Sequence, residues 1–212
     1  MNVLTLTKSF VKDLLPPPLV RLIQNLLFIM DTYRLRGFDL HLNCPDRHLL
    51  ENTIIPYFVE RDEFQTILFV GCDWYTKFYK KFFASKEYWT IEIEKSKRKY
   101  GAKNHIIDSI EKLSNYVNGN YFDVIFFTGV FGHGLNSKEA TEEAINQCFQ
   151  CLRKGGVLVF GWNDLPELTP FPIIQECQNL KKFQSYFFAP LSSSQYVVAD
   201  ELRHTFVFYI KP

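Results

Sequence analysis

The chain has 212 residues and carries 24 Lys and Arg against 23 Asp and Glu, a net charge of +1. Hydrophobic residues make up 47% of it and charged residues 22%, which excludes wholesale disorder. The near-neutral charge gives no overall attraction to nucleic acid or to anionic membranes. We interpret the basic run over residues 77–103 as solvated helix faces, so nucleic acid is not expected as a partner.

The first sixty residues have the pattern of helices. In residues 19–30, the apolar side chains recur at the three- and four-residue spacing of one helical face. A second helix is predicted over residues 46–59. The first apolar run is shorter than the about 20 residues that cross a membrane, so no membrane span is expected. For this helix, packing on the core is favoured over binding to a membrane surface. Residues 1–60 are therefore predicted to form a helical extension packed on the core.

From residue 64 onward, short apolar runs alternate with helical segments. The runs cover residues 65–70, 89–93, 104–107, 122–127 and 157–160, and the helical segments cover residues 77–83, 109–117 and 137–152. Continuous apolar strands that alternate with helices indicate a parallel sheet covered on both faces. Residues 185–190 and 205–211 predict an antiparallel pair of strands at the sheet edge. Residues 61–212 are thus predicted to be one α/β domain with a seven-stranded, mostly parallel sheet.

Candidate ligand-binding residues follow the first two strands of this sheet. Ligands of such sheets bind at the carboxyl ends of the strands. Gly71 ends the first strand, and Glu92 lies 21 residues further on, the spacing that places an acid on ribose hydroxyls. The dinucleotide pattern G-x-G-x-x-G is broken by Asp73 and Thr76. A carboxylate at position 73 would repel a pyrophosphate but tolerate an ammonium or sulfonium group, which favours S-adenosylmethionine over NAD.

Five motifs, in this order, resemble those of class I S-adenosylmethionine-dependent methyltransferases, and the resemblance extends over residues 50–212. The motifs are residues 67–72, 90–93, 108–109, 123–130 and 151–159. The resemblance implies a Rossmann-like fold, S-adenosylmethionine as the cofactor, and methyl transfer to an unidentified small-molecule acceptor. The cofactor-binding residues that it implies are Gly71, Cys72, Asp73, Glu92, Ile93, Asp108, Ser109, Thr128 and Gly129. The first motif departs from the family at Asp73, where a second glycine is usual.

Several of these residues also have a plainer structural interpretation. Gly71 could serve only a tight turn, Asp73 could be a turn residue, and Asp108 could cap the helix that follows it. Glu92 could be a solvated acid at a strand end, with Glu94 as the competing ribose contact. A degenerate domain that binds a ligand or a partner without turnover is therefore the alternative to an enzyme.

His133 is the candidate catalytic residue. It stands between two glycines after the fourth strand, where the methyl acceptor is expected, and an imidazole suits the removal of a proton near neutral pH. The alternative is that His133 orders this loop by hydrogen bonding; Asp164 is a weaker candidate for the base. Cys148 and Cys151 form a C-x-x-C without a second pair, so no metal site is predicted. Five scattered cysteines suit a reducing interior, and we expect a cytoplasmic location.

Overall fold

The computed structural model describes residues 17–36 and 39–212, and the chain divides into two compact units, Met1–Cys44 and Pro45–Pro212. The helical character predicted for residues 1–16 lies outside the described residues. The predicted division of the chain at residue 60 and the packing of the extension on the core stay predictions. Within the described ranges, no helix is both long and apolar enough to cross a membrane.

The first unit contains a helix and a hairpin. Helix α1, Pro17–Thr32, includes the predicted residues 19–30. Strands β1, Tyr33–Arg36, and β2, Asp39–Leu42, pair antiparallel. The prediction that the first sixty residues are all helical is therefore wrong for this hairpin. Its strands have only four residues each, too few for their alternating polar and apolar side chains to stand out as a strand pattern.

The second unit opens with one continuous run of helical turns, as predicted for residues 46–59. Helix α2, Pro45–Leu49, passes through a π-helical turn, Leu50–Ile54, into α3, Ile55–Val59. Pro56 has no N–H to donate to a helical carbonyl, and the wider π turn ends two residues before it. Leu50, Ile54 and Phe58 are buried against the sheet.

The central sheet confirms the predicted fold class. Its parallel strands are β3, Thr66–Val70; β4, Glu87–Ile91; β5, Asn104–Ile106; β6, Phe122–Thr128; and β7, Leu152–Asn163. They lie in the order β5-β4-β3-β6-β7, with every pairing parallel. All seven residues of β6 are buried, because apolar clusters cover both faces of the sheet. This double burial explains the continuous apolar runs in the sequence.

The C-terminal edge is antiparallel, as predicted, but differs in detail. Strand β10, His204–Ile210, pairs with β7, and its other edge is shared by β8, Gln184–Ser185, and β9, Gln195–Val197. The sheet thus has eight strands in seven positions rather than seven strands. The predicted strand 185–190 ends at Ser185 in the structure. Pro190 lies in a 3₁₀ turn, Ala189–Leu191, which ends at Ser192 in a left-handed conformation.

Short helices connect the strands. The longest, α5, spans Lys138–Cys151, and α4 and α6 are single turns, Tyr79–Phe82 and Ile173–Glu176. The remaining connections are 3₁₀ turns at Trp74–Thr76, Lys95–Tyr100, Ile110–Asn115 and Asn179–Lys182. The predicted helices 77–83 and 109–117 are therefore shorter than expected, and the second is 3₁₀ rather than α. Cys148 and Cys151 are buried in α5 with their thiols unbonded to one another.

Candidate active site

One cavity lies at the carboxyl ends of the parallel strands. The nine residues predicted to bind the cofactor line it together with His133, the predicted base; the nine are Gly71, Cys72, Asp73, Glu92, Ile93, Asp108, Ser109, Thr128 and Gly129. They come from the carboxyl end of β6 and from the loops that follow β3, β4, β5 and β6. The fold therefore brings together residues that are up to 62 positions apart in the sequence. Asp164, the weaker candidate base, is not among the lining residues of this cavity.

Gly71 turns the chain sharply at the end of β3. Its φ is +78°, a conformation that L side chains rarely adopt, and a Cβ there would lie 3.1 Å from Val130 Cγ2. Its N–H donates to the Ile91 carbonyl at 2.9 Å, which holds the turn against the end of β4. The absence of a side chain leaves the backbone of this loop directly exposed to the cavity.

Glu92 links the two loops that border the cavity. Its Oε2 accepts a hydrogen bond from the Cys72 N–H at 3.1 Å, and its Oε1 accepts one from the Glu94 N–H at 2.9 Å. Each carboxylate oxygen can accept about two hydrogen bonds, so one position on each oxygen remains for a ligand. The carboxylate is thereby oriented before any ligand arrives. Glu94, the competing candidate, instead pairs with Lys97 at 2.8 Å.

Asp73 organises the loop that replaces the usual glycine pattern. Its carboxylate accepts from the Trp74 N–H at 2.7 Å, and its own N–H donates to Thr76 Oγ1 at 3.0 Å, forming a capping box. Its other oxygen lies 3.2 Å from Lys97 Nζ. Hydrogen bonds to Glu94 and Asp73 raise the pKa of Lys97, so this lysine stays charged. The structure thus gives Asp73 the turn role that was its plainer interpretation, while keeping it at the cavity wall.

Cys72 and Ile93 contribute contrasting side chains. Burial, followed by the charge of Glu92, raises the pKa of the Cys72 thiol to about 12, which keeps it neutral and unreactive. Its Sγ donates to the Lys97 carbonyl at 3.6 Å. Ile93 is 68% exposed although it is apolar, and it lines the cavity beyond β4. An exposed isoleucine at this point offers an apolar contact to a ligand ring.

Asp108 and Ser109 shape the loop after β5. Asp108 accepts hydrogen bonds from Tyr116 Oη at 2.8 Å, the Ser109 N–H at 2.8 Å and Lys112 Nζ at 3.1 Å. These bonds, with that from Tyr116 the largest, lower the pKa of Asp108. Ser109, rather than Asp108, is the N-cap of the following 3₁₀ turn. Asp108 therefore holds this turn in place as well as lining the cavity.

The wall beyond β6 is built from Thr128, Gly129 and a residue that the sequence did not indicate. Gly129 has a φ of +72°, and its Cβ position lies 3.4 Å from Arg47 Nη2. Arg47 lines the cavity although it is 8% exposed. Burial opposes its charge, but Tyr79, Tyr75 and Asp46 together raise its pKa, so the guanidinium stays protonated. Because Arg47 lies outside all five motifs, no local pattern marked it.

A hydrogen-bonded chain runs from His133 into the sheet. Asn163 Nδ2 donates to His133 Nε2 at 3.1 Å, and His204 Nδ1 donates to Asn163 Oδ1 at 2.7 Å. His133 is exposed, whereas His204 is 3% exposed. Because the lone pair of His133 Nε2 is engaged by Asn163, the loop-ordering interpretation of His133 has direct structural support. Its role as a base stays a prediction.

Residues 69–160 match the sequence model of a family described as a methyltransferase domain. This part of the chain is similar to a methyltransferase domain. The resemblance to class I S-adenosylmethionine-dependent methyltransferases is thereby confirmed, and the match supports S-adenosylmethionine as the cofactor. A search of curated protein sequences finds no match.

Solved structures show the same fold at low sequence identity. The N-methyltransferase NodS from Bradyrhizobium japonicum WM9 is 12% identical, with a TM-score of 0.61 over 80% of this chain and 98% of that one. A complex of NodS with S-adenosyl-L-homocysteine is 13% identical, with a TM-score of 0.60 over 80% and 89%. A SAM-dependent methyltransferase from Archaeoglobus fulgidus is 15% identical, with a TM-score of 0.53 over 78% and 93%. At these identities the likeness establishes the fold and leaves the acceptor open.

Proposed function

We propose that the protein transfers a methyl group from S-adenosylmethionine to a small-molecule acceptor. The observation that carries this proposal is the convergence of all nine predicted cofactor residues on one cavity from four separate strand ends. Two of them, Gly71 and Gly129, have left-handed backbones without side chains over the cavity. A cytoplasmic location stays a prediction from the scattered cysteines.

The donor set fits this cofactor. Glu92 would accept the ribose hydroxyls, because both its oxygens are oriented and each keeps a free acceptor position. Ile93 would contact the adenine, and Asp108 and Ser109 would border it. The loop around Gly71, Cys72 and Asp73 would hold the amino acid portion, and Thr128 and Gly129 would face its methyl end. When bound, the cofactor supplies an electrophilic methyl group on a positively charged sulfur.

The chain's own residues would contribute chiefly alignment and exclusion of water. Displacement at a methyl carbon requires the acceptor atom in line with the breaking bond, and a positioned pair gains most of its rate from that geometry. The cavity walls are fixed by backbone hydrogen bonds at Gly71, Glu92 and Gly129. Such preorganised walls suit a reaction that needs few chemically active side chains.

Calorimetric titration with S-adenosylhomocysteine tests the cofactor part of this proposal. We expect saturable one-to-one binding by the full chain, without a metal or a second protein. The alternative, a degenerate domain that binds without turnover, is favoured by Asp73 in place of the second glycine. Binding without methyl transfer to any acceptor class would support that alternative, and no binding at millimolar ligand would contradict the proposed function altogether.

Substitutions at Asp73 separate its charge from its capping role. Asp73→Ala removes both, and we expect adenosylhomocysteine to bind about fivefold more weakly, since replacing an N-cap by alanine costs about 1 kcal/mol. Asp73→Gly removes the charge but costs the cap only a few tenths of a kcal/mol, so we expect its binding to be about twofold weaker. Asp73→Asn keeps an oxygen for the Trp74 N–H and should bind within about twofold of the parent. Titrations at low and high salt distinguish charge from geometry, because exposed charges are screened within about 10 Å at 0.1 M salt. Tighter binding by Asp73→Gly would instead identify Asp73 as an obstruction.

A further inference from the structure

Three buried polar side chains lie on the side of the sheet away from the proposed ribose contact; Arg47 and Thr128 line the cavity, and His204 does not. Arg47, Thr128 and His204 are 8%, 4% and 3% exposed. Among residues 17–36 and 39–212, Arg47 Nη1, Thr128 Oγ1 and His204 Nε2 are buried atoms without a hydrogen-bond partner. Buried polar atoms are normally paired, and an unpaired one costs free energy. Three of them in one region point to a ligand group.

The strand register brings these side chains to one face of the sheet. Thr128 is the ladder partner of Gly161 on β7, and a Cβ on Gly161 would lie 2.9 Å from His204 Nε2. The His204 imidazole therefore lies over Gly161, one strand away from Thr128. Arg47 reaches the same point from α2, because its Nη2 lies 3.4 Å from the Cβ position of Gly129. We call this place the polar recess, formed by Arg47, Thr128 and His204.

The polar recess lies on the acceptor half of the sheet. Glu92 and Asp108 follow β4 and β5, on one side of the central strands β3 and β6. The recess extends from β6 over β7 to β10, on the other side. A ligand group in the recess is therefore separated from the proposed adenosine contacts, which follow β4 and β5, by β3. This position suits the methyl acceptor rather than the cofactor.

The hydrogen-bonding capacity of the polar recess selects a hydroxyl group. Arg47 offers an N–H donor, but its charge is already accompanied by Asp46, with 3.4 Å between Nε and Oδ2. His204 offers a lone pair at Nε2, because its Nδ1–H donates to Asn163 Oδ1. Burial lowers the pKa of His204 to about 4, so the imidazole is neutral at neutral pH. A carboxylate would face this lone pair and add a second negative charge beside Asp46. A hydroxyl accepts from Arg47 and donates to His204.

We propose that the polar recess binds a hydroxyl group of the methyl acceptor, and that this hydroxyl is the group methylated. The inference rests on the proposed function and makes the acceptor a hydroxyl-bearing small molecule. The oxygen forms its bond to the methyl carbon as the methyl–sulfur bond breaks, and the electron pair of that bond stays on sulfur. The hydroxyl proton passes to His204 Nε2.

The weak basicity of His204 is sufficient for this proton transfer. An oxygen that has gained a methyl group while keeping its proton is far more acidic than an imidazolium with a pKa of about 4. The proton therefore moves to Nε2 as the carbon–oxygen bond forms. His133, the base predicted from the sequence, is less suited, because its Nε2 already accepts from Asn163.

A methyl-transfer assay with tritium-labelled S-adenosylmethionine tests the proposal on the full chain. Three pools serve as acceptors: simple alcohols, sugars and phenols; primary and secondary amines; and carboxylic acids. We expect label in the hydroxyl pool alone. Label in another pool, or none at all from a protein that binds adenosylhomocysteine, overturns the hydroxyl inference and leaves the cofactor site standing. A parent chain that fails to bind adenosylhomocysteine overturns the proposed function as well.

Substitutions in the polar recess give the second arm of the test. His204→Phe and Arg47→Met should each lower kcat/KM for the hydroxyl substrate about tenfold or more, the scale for an unpaired buried group. For His204→Phe, the Kd of adenosylhomocysteine should change by less than about twofold. His105→Phe is the matched control, because His105 Nε2 is also buried and unpartnered among the described residues but belongs to β5. Equal losses in His204→Phe and His105→Phe would contradict the proposal.

The tautomer of His204 can be measured on the parent chain. This test therefore does not depend on whether a His204 variant folds. We expect nitrogen-15 NMR of the parent chain to place the His204 proton on Nδ1. A proton on Nε2 would remove the acceptor that the hydroxyl requires and would overturn the proposal.

Discussion

Replacing Glu92 by alanine is expected to weaken adenosylhomocysteine binding by about 1.5–3 kcal/mol, the scale for hydrogen bonds to a charged group. The loss has two sources. The ribose hydroxyls lose their acceptor, and the N–H groups of Cys72 and Glu94 lose the carboxylate that orients their loops. Because every 1.4 kcal/mol is tenfold in affinity, calorimetry should record a Kd about ten- to a hundredfold higher.

Glu94→Ala is the matched control for this experiment. Glu94 is two residues away, its side chain is 56% exposed, and it pairs with Lys97 rather than with a loop N–H. We expect its removal to change the Kd by less than about twofold, since exposed ion pairs contribute little. An unchanged affinity in folded Glu92→Ala, or a larger loss in Glu94→Ala, would transfer the ribose contact to Glu94.

The sequence predicted most of the sheet because the strands that carry the site are buried on both faces. Strands such as β3 and β6 have the apolar runs expected of strands that are covered on both faces. The hairpin of β1 and β2 was missed because its short strands alternate polar and apolar residues. The C-terminal edge was predicted only coarsely, since Pro190 interrupts a run that otherwise reads as a strand.

The residues of the site also divide into those that a local pattern predicts and those that only tertiary packing brings to the cavity region. Gly71 and Glu92 could be predicted because the distance between two consecutive strand ends is nearly constant in such folds. Arg47 and His204 could not, because they reach the cavity region through tertiary packing of α2 and β10. Neither belongs to a motif, and their importance is visible only as buried atoms without partners. Local patterns thus predict a ligand site shared by a fold, whereas the proposed acceptor site depends on long-range packing.

Asp123 lies at the end of the sheet away from the cavity, and its replacement is expected to have the largest effect on stability. Its carboxylate accepts from the N–H groups of Gln65 and Thr66 at 2.7 Å each, and from Arg153 Nε. These bonds join the starts of β3, β6 and β7. Asp123→Ala leaves both N–H groups without this acceptor and Arg153 without its charge partner. We expect the free energy of unfolding to fall by about 3 kcal/mol, measured by urea titration.

The pH dependence of stability provides the matching test. Burial by itself raises the pKa of Asp123, but hydrogen bonds from Thr66, Arg153 and Gln65 outweigh it and lower the pKa overall. A carboxyl whose folded pKa is lowered contributes its full stability above the ordinary value of about 3.9. That contribution is lost as the pH falls through the folded pKa. Asp123→Asn should therefore make the free energy of unfolding less dependent on pH in the acid range. Arg153→Met should lower the free energy of unfolding by only about 1 kcal/mol, because the Arg153 side chain is 35% exposed. If the parent and Asp123→Asn lose stability equally below pH 4, the carboxylate does not join these strands as described.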